Sequence, residues 1–311
     1  MDKSMDKRVY GVIGIKSVMS NWNADFEGNP KTISDGKIFG SDKALKYPMK
    51  KMWESEGEKI LYIKSFKEDD KGNKLRPRSL KERYEKIFEV ADLKKEDSDA
   101  VLKNLFSAID VKSFGATFAE EGNNIAITGA VQIAQGFNKY EDSQTEEQQI
   151  LSPFRVGDDA DQSTLGTKIV SNEAHYAYFF AINPAVYADF VEMGVTEGYT
   201  DGDYKKFKAA ALTSASSFNT NSKIGCENEL AVFIETDKNA YLPDLSQYVF
   251  FEKSKDEGGI DTIKLSFDKI LNDLKAKIKS VEIYYNPYTT NIDTDIPNAK
   301  MMNIFTQDEV K

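Results

Sequence analysis

Lys43, Lys46 and Lys50 recur at spacings of three and four residues, which puts three ammonium groups on one helical face opposite Leu45, Met49 and Met52. Segment 37–51 carries five lysines against one aspartate. Such neighbours repel one another unless an anion lies between them, so the chemistry on offer is phosphate-backbone binding, with a solvated helix face as the plain alternative. Other reactive side chains are few. His175 is the single histidine and Cys226 the single cysteine. That excludes an intramolecular disulfide, a multi-cysteine metal centre and most Ser–His or Cys–His nucleophile pairs. Each reads most simply as a core or surface residue. Asn291, Asp293 and Asp295 are spaced like a calcium loop but lack its glycine and bidentate glutamate, so a solvated turn is expected. Gly36–Gly40 ends in no Gly-Lys-Ser/Thr and is not a phosphate loop. No metal and no cofactor is expected.

Two further motifs point weakly to RNA. Lys112-Ser113-Phe114-Gly115-Ala116-Thr117-Phe118 echoes the RNA-binding signature of RRM sheets but lacks its second glycine and central aromatic. Gly11-Val12-Ile13-Gly14 has GxxG spacing inside a strand pattern, where close backbone packing explains it better.

Composition frames these residues. The chain has 311 residues, 40% hydrophobic and 30% charged, enough apolar material for a core and not the signature of disorder. No apolar run reaches membrane-helix length, and Met1–Arg8 is charged rather than signal-like, so the expectation is a soluble, cytoplasmic protein without membrane contact. The net charge of −10 argues against nucleic acid at first. Its distribution does not: residues 1–90 hold 20 basic against 15 acidic groups, and the remainder 21 against 36. Such asymmetry marks either a specialised binding surface or ordinary surface variation.

The elements that must position these groups alternate. β-branched residues predict a strand over 9–18, followed by a polar loop containing Gly28, Pro30 and Gly36. Ser41 or Asp42 caps the lysine helix, which Pro48 should kink or delay. A strand is expected at 60–66, and a helix follows with Val101, Leu102, Leu105, Phe106 and Ile109 on one face. Residues 125–135 alternate as a strand, as do 175–182 with Tyr176, Tyr178, Phe180 and Ile182 on one side. Between them, 136–173 reads as a long polar functional insertion. A helix over 203–218 and a strand over 229–235 complete the series. The order strand, helix, strand, strand, helix, strand predicts an α+β protein with a ferredoxin-like, RRM-type core. That core (palm) spans 8–240, with insertions at about 19–40, 59–98 and 136–173. A C-terminal α/β extension, 241–311, adds a strand near 248–252, a helix over 261–278 and a strand at 281–286.

Several segments, in order, resemble the Cascade backbone subunits of type I CRISPR systems, nearest to subtype I-B. Ser20-Asn21-Trp22-Asn23-Ala24-Asp25, Asn29-Pro30 and Ser41-Asp42-Lys43-Ala44-Leu45-Lys46 with Lys50 are similar to the family's first strand, Asn-Pro-rich loop and helix start. Asp110-Val111-Lys112-Ser113-Phe114-Gly115 resembles its Asp-x-Arg-x-Phe-Gly segment, and Gly129-Ala130-Val131-Gln132 its Gly-Pro-Val-Gln strand. Gly166-Thr167-Lys168 with Tyr176, and Ser222-Lys223-Ile224-Gly225, resemble the end of its thumb and its small-basic-Gly turn. The departures are Asn21–Phe26 in place of the usual Asn-Pro-Asn-Gly-Asp-Pro loop, Ala130 for proline and Lys112 for arginine.

The resemblance implies a non-catalytic protein whose copies polymerise along CRISPR guide RNA (crRNA) and present its spacer to a target DNA strand. Its partners would be further copies of itself, a large subunit, a guide-handle-binding subunit and a guide-processing endonuclease. Lys43, Lys46 and Lys50 would hold guide phosphates, with Asn21, Asn23, Gln132, Lys168 and Lys223 as further contacts. Leu151, Phe154 or Arg155 in the thumb-like 136–173 insertion would wedge between bases. The rival reading is a metal-dependent ribonuclease of the type III kind using Asp25 or Asp35, and a third is a plain structural or regulatory α+β protein.

Overall fold

The β-branched run from Lys7 to Ser20 extends the chain into strand β1 (Lys7–Ser20), around which the protein is built. The computed structural model describes residues 4–69, 72, 74–151, 165–256 and 258–310. After β1 come the edge strand β2 (Phe39–Gly40), helix α1 (Asp42–Ser55) and the hairpin β3 (Phe66–Glu68) and β4 (Leu75–Pro77). Helices α2 (Leu80–Phe88), α3 (Ser98–Ser107) and α4 (Ile109–Phe114) lead into the hairpin β5 (Gly115–Phe118) and β6 (Ile125–Thr128). Strands β7 (Val131–Ile133), β8 (Gly136–Asn138), β9 (Thr145–Leu151) and β10 (Leu165–Ile182) follow, then α5 (Ala188–Glu192), α6 (Asp201–Thr213) and β11 (Cys226–Asp237). The C-terminal part comprises β12 (Val249–Glu252), β13 (Asp261–Leu265), α7 (Asp268–Asp273), β14 (Ile278–Tyr285), β15 (Thr290–Asp293) and β16 (Lys300–Asn303).

The main sheet runs β16-β14-β11-β1-β10-β8-β2, with β7 and β9 also paired to β10. β1 pairs antiparallel with both long neighbours, Val12 standing opposite Phe179 on β10 and Val232 on β11. Gly11 allows that approach, because a Cβ there would lie 1.8 Å from the Val232 carbonyl oxygen and 2.6 Å from the Phe180 ring. One face of the sheet offers Val9, Ile13, Tyr178, Phe180 and Phe233 to Leu45, Met49 and Trp53 of α1 and Phe207 of α6. The other offers Tyr10, Val12, Leu230 and Val232 to Val249, Ile263, Leu265 and Phe267 of the C-terminal part. Each large side chain so buried contributes roughly 1.5–3 kcal/mol. Both faces are covered at the central strands β1, β10 and β11.

A buried ionic network ties the C-terminal sheet down. His175 on β10 lies 2.8 Å from Glu229 and 3.1 Å from Glu173, and its ring stacks on Phe251 at 3.6 Å. Lys253 then bridges Glu173 (2.7 Å) and Asp261 (3.2 Å). Burial works against the imidazolium, but the two carboxylates prevail and raise His175 to about 8.

Several sequence expectations are corrected. Residues 60–65 form no strand; Ile60 and Leu61 are buried, yet the Leu61 and Tyr62 N–H groups donate to the Asp110 carboxylate rather than to a neighbouring strand. The helix expected to reach Ile109 stops at Ser107, where Ala108 turns extended and Ile109 opens α4. The 125–135 strand is split: β6 pairs with β5 and β7 with β10, while Gly129 packs so tightly on Phe114 that a Cβ would meet its carbonyl carbon at 2.2 Å. The 136–173 stretch holds β8, β9 and the first part of β10, Leu151 standing opposite Leu165. α6 ends at Thr213, short of 218, where the Asn228 side chain accepts from Ala215 and Ser216 N–H. The 261–278 helix is replaced by β13 and the short α7, because Asp261, Ile263 and Leu265 alternate inward between β12 and β15. Asn291 and Asp293 lie in β15 rather than in a turn. α1 starts at Asp42 and runs through Pro48 without delay. Among the described residues no helix is long and apolar enough to cross a membrane.

Candidate nucleic-acid interface

Helix α1 is fixed at both ends before it can present anything. The Ser41 hydroxyl accepts from Ala44 N–H, and the Ser41 N–H donates to Asn23 Oδ1 at 2.8 Å, clamping the preceding loop to the helix start. Leu45, Met49 and Trp53 anchor the inner face, Trp53 donating its indole N–H to Lys206 O and stacking on Phe114. The outer flank, with Tyr62, Phe114 and Thr117, bounds an open cavity of about 580 Å³.

Lys43, Lys46 and Lys50 all line this cavity, but in unequal states. Lys43 is exposed. Lys46 pairs with Asp42 at 2.8 Å and lies 5.1 Å from the Phe114 ring centre. Lys50 is largely sunk, donating to Tyr62 O at 3.3 Å and standing 3.6 Å from the fully buried Asp110 carboxylate. Burial, more than any charge, lowers its pKa, and Asp110 opposes the shift. Tyr62, pushed up to about 12 by burial and by Asp110, stays a neutral phenol and donates to Thr117 O. The cavity thus combines ammonium groups with the faces of Phe114 and Tyr62, a surface suited to an anion carrying a planar ring.

The remaining sequence-derived residues are scattered. Asn21 is buried and donates to Gly28 O (2.9 Å) and Ile169 O (3.2 Å), holding the first loop to β10. Lys223 donates to the backbone carbonyls of Asn21 (2.6 Å) and Trp22, and burial lowers its pKa. Gln132 is exposed with its amide on Gly129 O, and Lys168 lies on β10 opposite Gln148. Phe154 and Arg155 lie outside the described residues; Leu151 ends β9. Asp25 accepts from Glu27 and Asn29 N–H and Asp35 from Lys37 N–H, each shaping its own loop. Among the described residues no group of three or more His, Cys, Asp or Glu side chains is arranged to hold a metal.

Sequence reasoning missed that the Asp110–Gly115 segment is a structural hub. Asp110 caps the 60–62 loop, and Lys112, 5% exposed, pairs with Glu197 (2.6 Å) and Asp203 (2.9 Å). Phe114 packs against Trp53 as a cavity wall, not as a ring on an open sheet face. Only the mixture of charged and apolar residues in a short segment hinted at this.

The sequence profile of the family "CRISPR-associated protein Cas7" matches residues 7–270. The chain belongs to the Cas7 family. Among solved structures, a chain described as "CRISPR RNA-guided surveillance complex, pre-nicking" superimposes with a TM-score of 0.57 at 12% identity, covering 95% of this chain and 96% of that one. A chain of a "CRISPR RNA-guided surveillance complex" has a TM-score of 0.49 at 12% identity, over 96% and 93%. No curated protein matches the chain. At such identity the superposition speaks for the fold: the Cas7 chain shares its mixed α/β architecture over nearly the whole length.

Proposed function

We propose that this Cas7 protein is a non-catalytic backbone subunit of a type I CRISPR Cascade complex, of subtype I-B, whose copies polymerise along guide RNA and present its spacer to target DNA. The observation that carries this is the family match across residues 7–270. Lys43, which has no ion-pair partner among the described residues and lies beside the aromatic cavity, supports a backbone contact that ignores base identity, which a carrier of any spacer requires. The antiparallel order β11-β1-β10-β7, the fourth, first, third and second strands of a β-α-β-β-α-β unit, supports an RRM-type palm over 8–240 with an extension over 241–311. In this reading Lys43 and Lys46 meet guide phosphates, Lys168 and Gln132 add contacts along β10 and β7, and Asn21, Asn23, Lys50 and Lys223 shape the groove. The 136–173 insertion acts as the thumb, and the partners are guide RNA, target strand, further copies and the other Cascade subunits, in the cytoplasm.

Sedimentation with single-stranded RNAs of increasing length tests the reading. Binding beside an occupied site is effectively intramolecular, so mass per RNA should rise stepwise and cooperatively with length. Replacing residues 149–167 with a short turn, which keeps Gln148 beside Lys168, should leave folded protein but abolish regularly spaced nuclease protection. One protomer per RNA at every length would overturn the polymer reading.

A further inference from the structure

Beside the lysine cavity, the edge of the main sheet carries two aromatic rings that the contacts above do not use. β2 and β8 pair so that Phe39 stands opposite Phe137 and Gly40 opposite Gly136. The glycines are required there. A Cβ on Gly40 would lie 1.8 Å from the Tyr178 hydroxyl, itself bonded to the Trp22 indole N–H, and one on Gly136 would lie 2.4 Å from the Tyr178 ring. With the glycines pressed on Tyr178, strand alternation sends Phe39 and Phe137 to the opposite side. Both are half-buried, with ring centres 6.1 Å apart and planes inclined by 37°.

These rings line an open cavity of about 490 Å³ with Lys31, Lys43, Asp42 and Gln135. Lys37 stands 5.8 Å from the Phe137 ring centre. Lys31, Lys37 and Lys43 form no ion pair with any described residue, whereas Asp42, the acid lining this cavity, is neutralised by Lys46. Exposed Gln135 adds an amide that both donates and accepts. Flat π faces, unpaired cations at the rim and an adaptable amide fit a planar ring attached to phosphate. A free phosphate would make no use of the rings, and an apolar peptide would make none of the lysines.

We infer that Phe39 and Phe137 form a stacking site for a nucleobase of single-stranded RNA, whose flanking phosphates meet Lys31, Lys37 and Lys43. The inference rests on the RNA-binding reading above. Lys43 lines both cavities, so a strand leaving the rings passes directly onto the α1 lysine edge. Stacking accepts every base, which suits a protein indifferent to sequence.

The test uses the full chain and a uniform single-stranded RNA containing 4-thiouridine, in a salt series. Phe39→Leu and Phe137→Leu keep apolar volume and remove the π face. Each should weaken binding by roughly 5- to 150-fold, the range for loss of one base–aromatic stack. The salt dependence should not change, since no phosphate contact is lost, while Lys43→Ala flattens it. Photocrosslinks on the unaltered protein should map to peptides containing Phe39 or Phe137, which keeps the test independent of how the variants fold. Unaltered protein that binds RNA but crosslinks elsewhere, with leucine variants of equal affinity, overturns the stacking site alone. Leucine variants that lose only self-association assign the rings to a protein contact and also overturn it. Unaltered protein that binds no RNA overturns the function proposed above and this site with it.

Discussion

Replacing Lys43, Lys46 and Lys50 singly with alanine separates ligand contact from buried structure, because the three differ in what they touch. Lys43 is exposed and forms no ion pair with any described residue, so Lys43→Ala should leave folding unchanged. If it meets one phosphate, the log–log salt slope for single-stranded RNA falls by about 0.7, and the affinity lost between 50 and 200 mM salt shrinks by roughly 2.6-fold. Lys46 also gives up an ion pair with Asp42 of the i,i+4 kind, worth about 0.3–0.5 kcal/mol. Lys50 is another case. Its side chain is 16% exposed and faces the 0%-exposed Asp110 carboxylate at 3.6 Å. Removing one partner of a buried pair costs about 3–5 kcal/mol. Here two backbone N–H groups, both at 2.9 Å, still serve Asp110 and hold the cost near the lower end. A loss of about 3 kcal/mol at roughly 2 °C per kcal/mol lowers Tm by about 6 °C. Fluorescence anisotropy across a salt series, with melting curves for each variant, reads both quantities. An unchanged slope for a fully folded Lys43→Ala protein would refute the phosphate edge, and an unchanged Tm for Lys50→Ala would refute the buried pair.

Gly11→Ala forces a methyl group into the β1–β11 contact, and because the nearest obstacle is the Val232 carbonyl, the urea midpoint should drop by the equivalent of about 3 kcal/mol. His175 gains its carboxylate partners on folding and is raised from 6.5 to about 8, so its stabilisation is complete below pH 6.5 and is lost as pH rises through 8. The difference is worth about 2 kcal/mol, and unfolding midpoints of the parent and His175→Gln proteins between pH 6 and 9 should show that dependence only in the parent. Asp25→Ala and Asp35→Ala should leave labelled complementary RNA uncut with magnesium present, like the parent; cutting by the parent that either substitution abolishes would favour the ribonuclease.

What could be read from the sequence follows the range of the forces involved. β1 was legible from its β-branched run and the inward face of β10 from its alternation, both local signals that survive any packing. The lysine face of α1 was legible for the same reason, and Ser41 does cap it. Residues 261–278 misled because Ile263, Phe267, Ile270 and Leu274 fit a helical stripe, while the strand pairing of Asp261–Leu265 with Val249–Glu252 and Thr290–Asp293 is contributed from elsewhere in the chain. The Asp110 bonds to Leu61 and Tyr62 join residues 49 and 48 positions apart, and no local pattern announces them.

The same distinction sorts the family-like motifs. Asn21, Asp110, Lys112, Gly129 and Lys223 each spend their polar groups, or their missing Cβ, on the chain itself. Such residues report how the scaffold is held, and a short motif is recognisable because so many internal contacts fix it. A contact to a backbone that carries no sequence information needs only charge and a ring at the right height, so many side chains serve equally well. Lys31, Lys37 and Lys43, which form no ion pair with any described residue, have that freedom, and Phe39 and Phe137 are set by the glycines beside them rather than by a motif. A binding surface of that kind needs cations without partners beside accessible rings, and among the described residues the edge from Lys37 across Phe137 and Phe39 to Lys43 is one place that brings the two together.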